Sequence, residues 1–202
     1  NNTAIFVNNV WEVVPSWTLT TGVRYDDHSK AGDETTLSVG LNKKFDDQSH
    51  AYINWGQVFN APTVSEMYYP YGGNKELNPE TGDTWTIGFG TMLTEKTNVG
   101  ISFFESDLED AISWFDPDGW MNPIPGKYEN VDKQKKRGLE LTLNHKLNNN
   151  IDLEASYSYV KVKDNKGGTG EYIRDYNIIP NTFRAGVRYH DQKWKANLLV
   201  RA

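Results

Sequence analysis

Ile151-Asp152-Leu153-Glu154-Ala155-Ser156-Tyr157-Ser158-Tyr159 places an apolar or aromatic residue at every odd position and an acidic or hydroxyl residue at every even one. Successive side chains of a strand point to opposite faces, so this segment reads as a strand with one greasy face and one wet face. Moving outward from it, Phe183, Ala185, Val187 and Tyr189 alternate with Arg184, Gly186 and Arg188, and Leu139, Leu141 and Leu143 with Gly138, Glu140 and Thr142. Trp85, Ile87 and Phe89 alternate with Thr84, Thr86 and Gly88, and Trp17, Leu19, Val23 and Tyr25 with Thr18, Thr20, Gly22 and Arg24. The wet face carries both signs of charge.

The same pattern predicts ten strands, centred near residues 8, 21, 40, 54, 87, 103, 140, 156, 185 and 198. Five connectors are tight and polar: Val14-Pro15-Ser16, Asp46-Asp47-Gln48, Thr94-Glu95-Lys96, Asn148-Asn149-Asn150 and Asp191-Gln192-Lys193. The four between them, about residues 28–34, 59–79, 115–127 and 164–179, are expected to be longer and are rich in Gly, Pro, Asp and Asn. Short and long connectors alternate, which puts all the tight turns on one rim of an up-and-down sheet and all the loops on the other. A Greek-key sandwich would not sort its loops in this way.

Composition is compatible with a membrane barrel. Mean hydropathy is -0.69 and no apolar run has the length of a spanning helix, but a membrane β-barrel hides its apolar band in alternate residues. The seven Trp, eleven Tyr and eight Phe of 202 residues concentrate toward strand ends at Trp17, Tyr25, Trp55, Trp85, Tyr157, Tyr159, Tyr189 and Trp194, where amphipathic rings sit at membrane interfaces. A net charge of -6 argues against nucleic acid as a partner, and the one basic run, Lys133 to Arg137, falls inside a predicted strand. The chain has no cysteine, hence no disulfide framework and no thiolate metal site.

The segment from Tyr52 to Gly82 carries a family likeness. A strand runs into Phe59-Asn60-Ala61-Pro62-Thr63, Glu66-Met67-Tyr68 and Gly73-Asn74 follow, and Leu77-Asn78-Pro79-Glu80-Thr81-Gly82 leads into the next strand. With Trp17-Thr18-Leu19, Gly22-Val23-Arg24-Tyr25-Asp26 and Arg137-Gly138-Leu139-Glu140-Leu141, this ordered set resembles the barrel of TonB-dependent outer-membrane receptors across the whole chain. The positions that carry the likeness are Asn60, Ala61, Pro62, Thr63, Leu77, Pro79, Glu80, Gly138 and Glu140. The resemblance implies an all-β, antiparallel, up-and-down transmembrane barrel of the 22-stranded type. About ten of those strands are expected here, with the plug domain and the energy-coupling segment absent, and residues 1–202 are read as part of one barrel domain.

What the resemblance implies for function is capture and active import of a scarce nutrient complex at the outer membrane of a Gram-negative type envelope, a ferric siderophore first, haem or cobalamin as variants. The implied partners are that iron or cobalt complex, the outer-membrane lipid, and the TonB energy-coupling complex through the absent N-terminal part. No catalysis and no resident cofactor are expected. Tyr68, Tyr69 and Tyr71 on the longest loop, and Trp114, Phe115 and Trp120 on the next, are the candidate ligand contacts, since aromatic faces stack on flat or aryl-rich ligands. Packing between loops is the alternative role for all six.

Other clusters read as structural. No His lies between Ala61 and Pro79 to ligate haem, and His28, His50, His145 and His190 are not at metal-ligand spacing. Asp26-Asp27-His28 could hold a cation or activate water, and a solvated strand end accounts for it equally. Asp116-Pro117-Asp118-Gly119 lacks the rest of a calcium loop and reads as a turn. Two other classes stay open: a soluble carbohydrate-binding or adhesin-like β domain, and a small outer-membrane barrel enzyme.

Overall fold

The computed structural model describes residues 2–116, 126–165, 171–174 and 178–202, Asp132 by its backbone alone. The strands are β1 (Asn2–Val14), β2 (Trp17–His28), β3 (Gly32–Lys44), β4 (Ser49–Asn60), β5 (Glu80–Thr94), β6 (Thr97–Phe115), β7 (Lys127–Lys146), β8 (Ile151–Asn165), β9 (Tyr172–Arg174), β10 (Asn181–His190) and β11 (Lys195–Arg201), with one helix, α1 (Val64–Tyr68). They form a single antiparallel sheet in the order β1-β2-β3-β4-β5-β6-β7-β8-β10-β11, in which consecutive strands pair except that β10 pairs with β8. The ten expected strands are all present. The eleventh, β9, lies inside the expected loop 164–179 and, among the described residues, pairs only with β8.

All five tight turns fall where expected. One of the two shortest, between β1 and β2, closes through Ser16 at φ 71°. One expected loop is corrected: residues 28–34 do not form a long connection, because only Ser29, Lys30 and Ala31 separate β2 from β3. His28 Nδ1 accepts from the amides of Lys30 (3.3 Å) and Ala31 (3.0 Å), and Gly32 takes φ +81°. Gly and Asp mark a turn there without fixing its length; the strands keep pairing through Asp26↔Glu34 and Asp27↔Asp33.

Away from the irregularities at Glu12–Val14, Met92–Thr94 and Asp110, register places the odd residues of β1–β8 on one face. One cross-strand row reads Ile53, Ile87, Phe103, Leu139, Tyr159 and the next Ala51, Phe89, Ile101, Leu141, Tyr157, Phe183. Ile87 is 54% exposed and Phe103 51%, although both sit mid-sheet. Among the described residues no large side chain is fully buried, so the sheet is a one-layer wall whose greasy face has no protein cover. An apolar surface this extensive needs a non-aqueous neighbour.

The wet face is built from complementary pairs. Tyr52 lies opposite Gly88, His50 opposite Gly90, Phe104 opposite Gly138, Asn54 opposite Gly40 and Glu154 opposite Gly186. In each pair the larger side chain lies over the glycine, where a Cβ would collide with it. Such covering restores the packing that a strand glycine lacks.

At the long-loop rim β6 and β7 run on for 19 and 20 residues, against the roughly 9–11 that cross a bilayer. A small core of Leu108, Ala111 and Val131, with Val58 against it, anchors this extension. The two outer strands of the sheet, β1 and β11, each pair on one side only.

Candidate functional site

The loop from Ala61 to Pro79 is an ordered structure with its own ties to the wall. Thr63 caps α1: its Oγ1 accepts from the Glu66 amide (3.2 Å), while Glu66 Oε2 accepts from the Thr63 amide (2.7 Å). Pro62 and Met67 are buried beneath it, as is Leu77 at the loop's return. Asn74 and Asn130 then lock the loop to β7. Asn74 Nδ2 donates to the Tyr128 carbonyl (3.0 Å) and the Tyr128 amide to the Gly72 carbonyl (2.8 Å). Asn130 Oδ1 accepts from the Asn78 amide (2.9 Å), and its Nδ2 donates to the Asn78 (3.1 Å) and Asp110 carbonyls. Gly72, at φ +155°, leaves room for the Trp114 ring and the Gly126 carbonyl.

Of the family-likeness residues, those from Asn60 to Thr63 and from Leu77 to Glu80 thus lie at the loop base. Glu80 accepts from Asn60 Nδ2 (3.2 Å) with one oxygen and from the Ile112 amide (2.7 Å) with the other, joining β4, β5 and β6. Gly138 accommodates the Phe104 ring, and Glu140 lies exposed on the wet face between Ser102 and Ser158.

Of the aromatic candidates, Tyr69, Tyr71 and Trp114 come together. Tyr69 meets Tyr71 edge-on with ring centroids 5.9 Å apart, and meets Trp114 at 6.5 Å. Tyr128, which the sequence reading did not select, packs on the other edge of Trp114 at 5.1 Å. Tyr71 remains 74% exposed at the outer side of the cluster. Tyr68 stands apart, as the last residue of α1 with the Lys75 ammonium 5.2 Å from its ring. Trp114 and Phe115 belong to the end of β6, a correction to their expected place on a loop, and Trp120 lies outside the described residues. Asp116 is described, whereas Pro117 to Gly119 of the same turn are not.

A cavity of about 630 Å³ opens beside α1, lined by Arg24, Asp26, His28, Asn60, Glu66 and Glu80 among others. Its volume is in the range of small-molecule sites. Asp26 is buried and bound twice by the Arg24 guanidinium, at 2.6 and 2.8 Å, while Asp27 projects to the opposite face. Among the described residues no group of three or more His, Asp or Glu could hold a metal ion. The other histidines are occupied locally: His145 Nδ1 bonds Thr97 Oγ1 (2.9 Å), His190 lies 3.4 Å from Asp152, and His50 stacks on Tyr52. The loop thus carries an exposed aromatic edge at Tyr71, and the cavity beside α1 is lined by groups of both charges.

Comparison with known proteins agrees with this architecture. The family model described as TonB dependent receptor-like, beta-barrel matches residues 1–202. The vitamin B12 transporter BtuB of Photobacterium profundum is 27% identical over 203 residues, which cover 98% of this chain and 32% of that protein. BtuB of Vibrio vulnificus is 31% identical over 59% of this chain and 19% of its own length. The chain therefore spans about a third or less of these relatives. Among solved structures, the copper transporter OprC superposes with a TM-score of 0.72 at 20% identity, over 99% of this chain and 35% of OprC. The siderophore receptor PirA from Acinetobacter baumannii gives 0.70 at 18% identity, over 99% of this chain and 33% of PirA. A one-layer antiparallel wall with an apolar outer band, short turns on one rim, a tied loop on the other and a match along its whole length place this chain in the TonB-dependent receptor β-barrel family.

Proposed function

We propose that this chain forms part of the wall of an outer-membrane receptor that captures a metal-chelate nutrient and passes it inward. The single observation that carries this reading is the tied loop of residues 61–79 at the long-loop rim, which presents an exposed aromatic edge and whose base and helix α1 line a cavity. A rigid aromatic surface loses little conformational entropy when it stacks on a large planar or aryl-rich ligand. The ferric siderophore expected from the sequence and a corrinoid both have that character. Relatives named for vitamin B12 and neighbours named as siderophore receptors support the two alike. Energy for release would come through the TonB complex, engaged by a part of the receptor other than this wall.

Binding of ferric siderophores, cobalamin and haem to the full-length receptor, followed by quenching of tryptophan fluorescence, tests the proposal. Submicromolar affinity for one of them is the expected result. An absence of binding to every member of the panel would overturn it.

A further inference from the structure

Above the apolar band, the outward face changes character within one row. Phe103, Leu139 and Tyr159 lie side by side, and the next row on that face reads Trp85, Glu105, Arg137, Lys161. The row beyond is Asp83, Asp107, Lys135, Lys163, and the one after it Thr81, Glu109, Lys133, Asn165. Rows on one face are about 7 Å apart along a strand. The first charged row therefore stands just above the Tyr159 ring, at the depth of lipid headgroups if aromatic rings mark the interface.

Charge on this surface is unevenly matched. Lys133 pairs with Glu109 (3.0 Å), Lys135 with Asp107 (3.6 Å) and Arg137 with Glu105 (2.6 Å), so each of these three β7 cations has one β6 acid. Lys161 and Lys163 have no ion-pair partner among the described residues. Register sets them directly opposite Arg137 and Lys135, and like charges directly opposite on one face are destabilising. Lys135, Arg137, Lys161, Lys163 and Tyr172 line a cavity of about 210 Å³, and the Lys135 ammonium lies 5.3 Å from the Tyr172 ring. Lys161 and Lys163, their two unfavourable contacts across the β7–β8 pair and the hollow between them define an anion site on the outside of the wall.

We propose that this hollow binds the phosphate of a lipid headgroup in the outer leaflet, whose acyl chains lie on the band formed by Tyr159, Leu139 and Phe103. Charge complementarity and continuity with the apolar band select a lipid over a dissolved ion, because only a lipid satisfies both surfaces at once. The inference rests on the membrane location in the function proposed above and is independent of the cargo.

The test uses the full-length receptor in neutral phosphatidylcholine nanodiscs doped with a diphosphorylated disaccharide lipid, with bound lipid counted by native mass spectrometry. K161Q/K163Q should lower retention of the phosphorylated lipid about tenfold, K161R/K163R should keep it, and cargo affinity should be unchanged in both. Equal retention by wild type and K161Q/K163Q would overturn the proposal. Displacement of the lipid by millimolar inorganic phosphate alone would also overturn it, since the site would then be one for a soluble ion. A receptor that holds the lipid but binds no panel cargo would sink the transport reading while leaving this one standing.

Discussion

A single methyl group measures how tightly the wet face is assembled. At Gly138 an added Cβ would meet both the Phe104 ring and the Tyr159 carbonyl oxygen, and the carbonyl is backbone that cannot swing away. Gly138→Ala is expected to destabilise the receptor by about 1–3 kcal/mol, read as a lower unfolding midpoint in a heat-modifiability gel. Gly56→Ala, where the nearest side-chain atom would be at 3.6 Å, should be close to neutral. In the β10–β11 turn, the Tyr189 hydroxyl donates to Asp191 (2.7 Å), and the Lys193 and Trp194 amides follow at 2.7 and 2.6 Å. These donors, the Tyr189 hydroxyl foremost, hold the Asp191 carboxyl below the usual carboxylate range. A carboxylate depressed on folding adds stability above its unfolded value, near pH 4, and loses it as pH falls through the folded value. Carboxyl-carbon NMR should therefore show Asp191 titrating below pH ~3.9, and a midpoint at or above that value would remove the turn's acid sensitivity. The sequence marked Asp191 as a turn residue, yet nothing in it pointed to the Tyr189 hydroxyl, because that bond depends on where the strand stops.

At the level of elements, the loop 61–79 owes its position to two asparagines. Asn130→Ala removes an acceptor for the Asn78 amide and a donor to two carbonyls, at a cost of about 1–3 kcal/mol. Cleavage by trypsin at Lys75 should accelerate while the barrel stays heat-modifiable; unchanged cleavage would show that the aromatic cluster alone holds the loop. Periodicity revealed the strands readily, because Ile151 to Tyr159 keep a strict alternation. It could not reveal how far β6 and β7 extend, since above Phe103 and Leu139 the odd positions turn charged (Glu105, Asp107, Lys135, Arg137) and the contrast between faces fades. The tyrosines were visible as a group, but their separation was not: α1 turns Tyr68 away from Tyr69 and Tyr71, and a five-residue helix leaves no apolar period. Asn74 was visible only as part of the family likeness and Asn130 not at all, because the partners that give them their role lie 54 and 52 residues away.

For the whole molecule, the arrangement of edges governs behaviour. β1 and β11 each present one unpaired side, and open sheet edges are prohibitively costly in hydrocarbon. Residues 1–202 expressed by themselves are expected to give aggregates or mixed oligomers; a heat-modifiable monomer in detergent would contradict this. The alternation of short and long connectors made the up-and-down order legible from sequence, and register then followed from the need to keep the alternate apolar residues of each strand on one face. The pairing of glycines with large neighbours across the wet face has an evolutionary corollary. Where Tyr52 covers Gly88 or Phe104 covers Gly138, neither residue can drift alone: a side chain gained at the glycine must be matched by one lost opposite. Divergent descendants of this wall should therefore exchange such positions in pairs, large for small and small for large, and the record of those swaps would report the strand register without any coordinates.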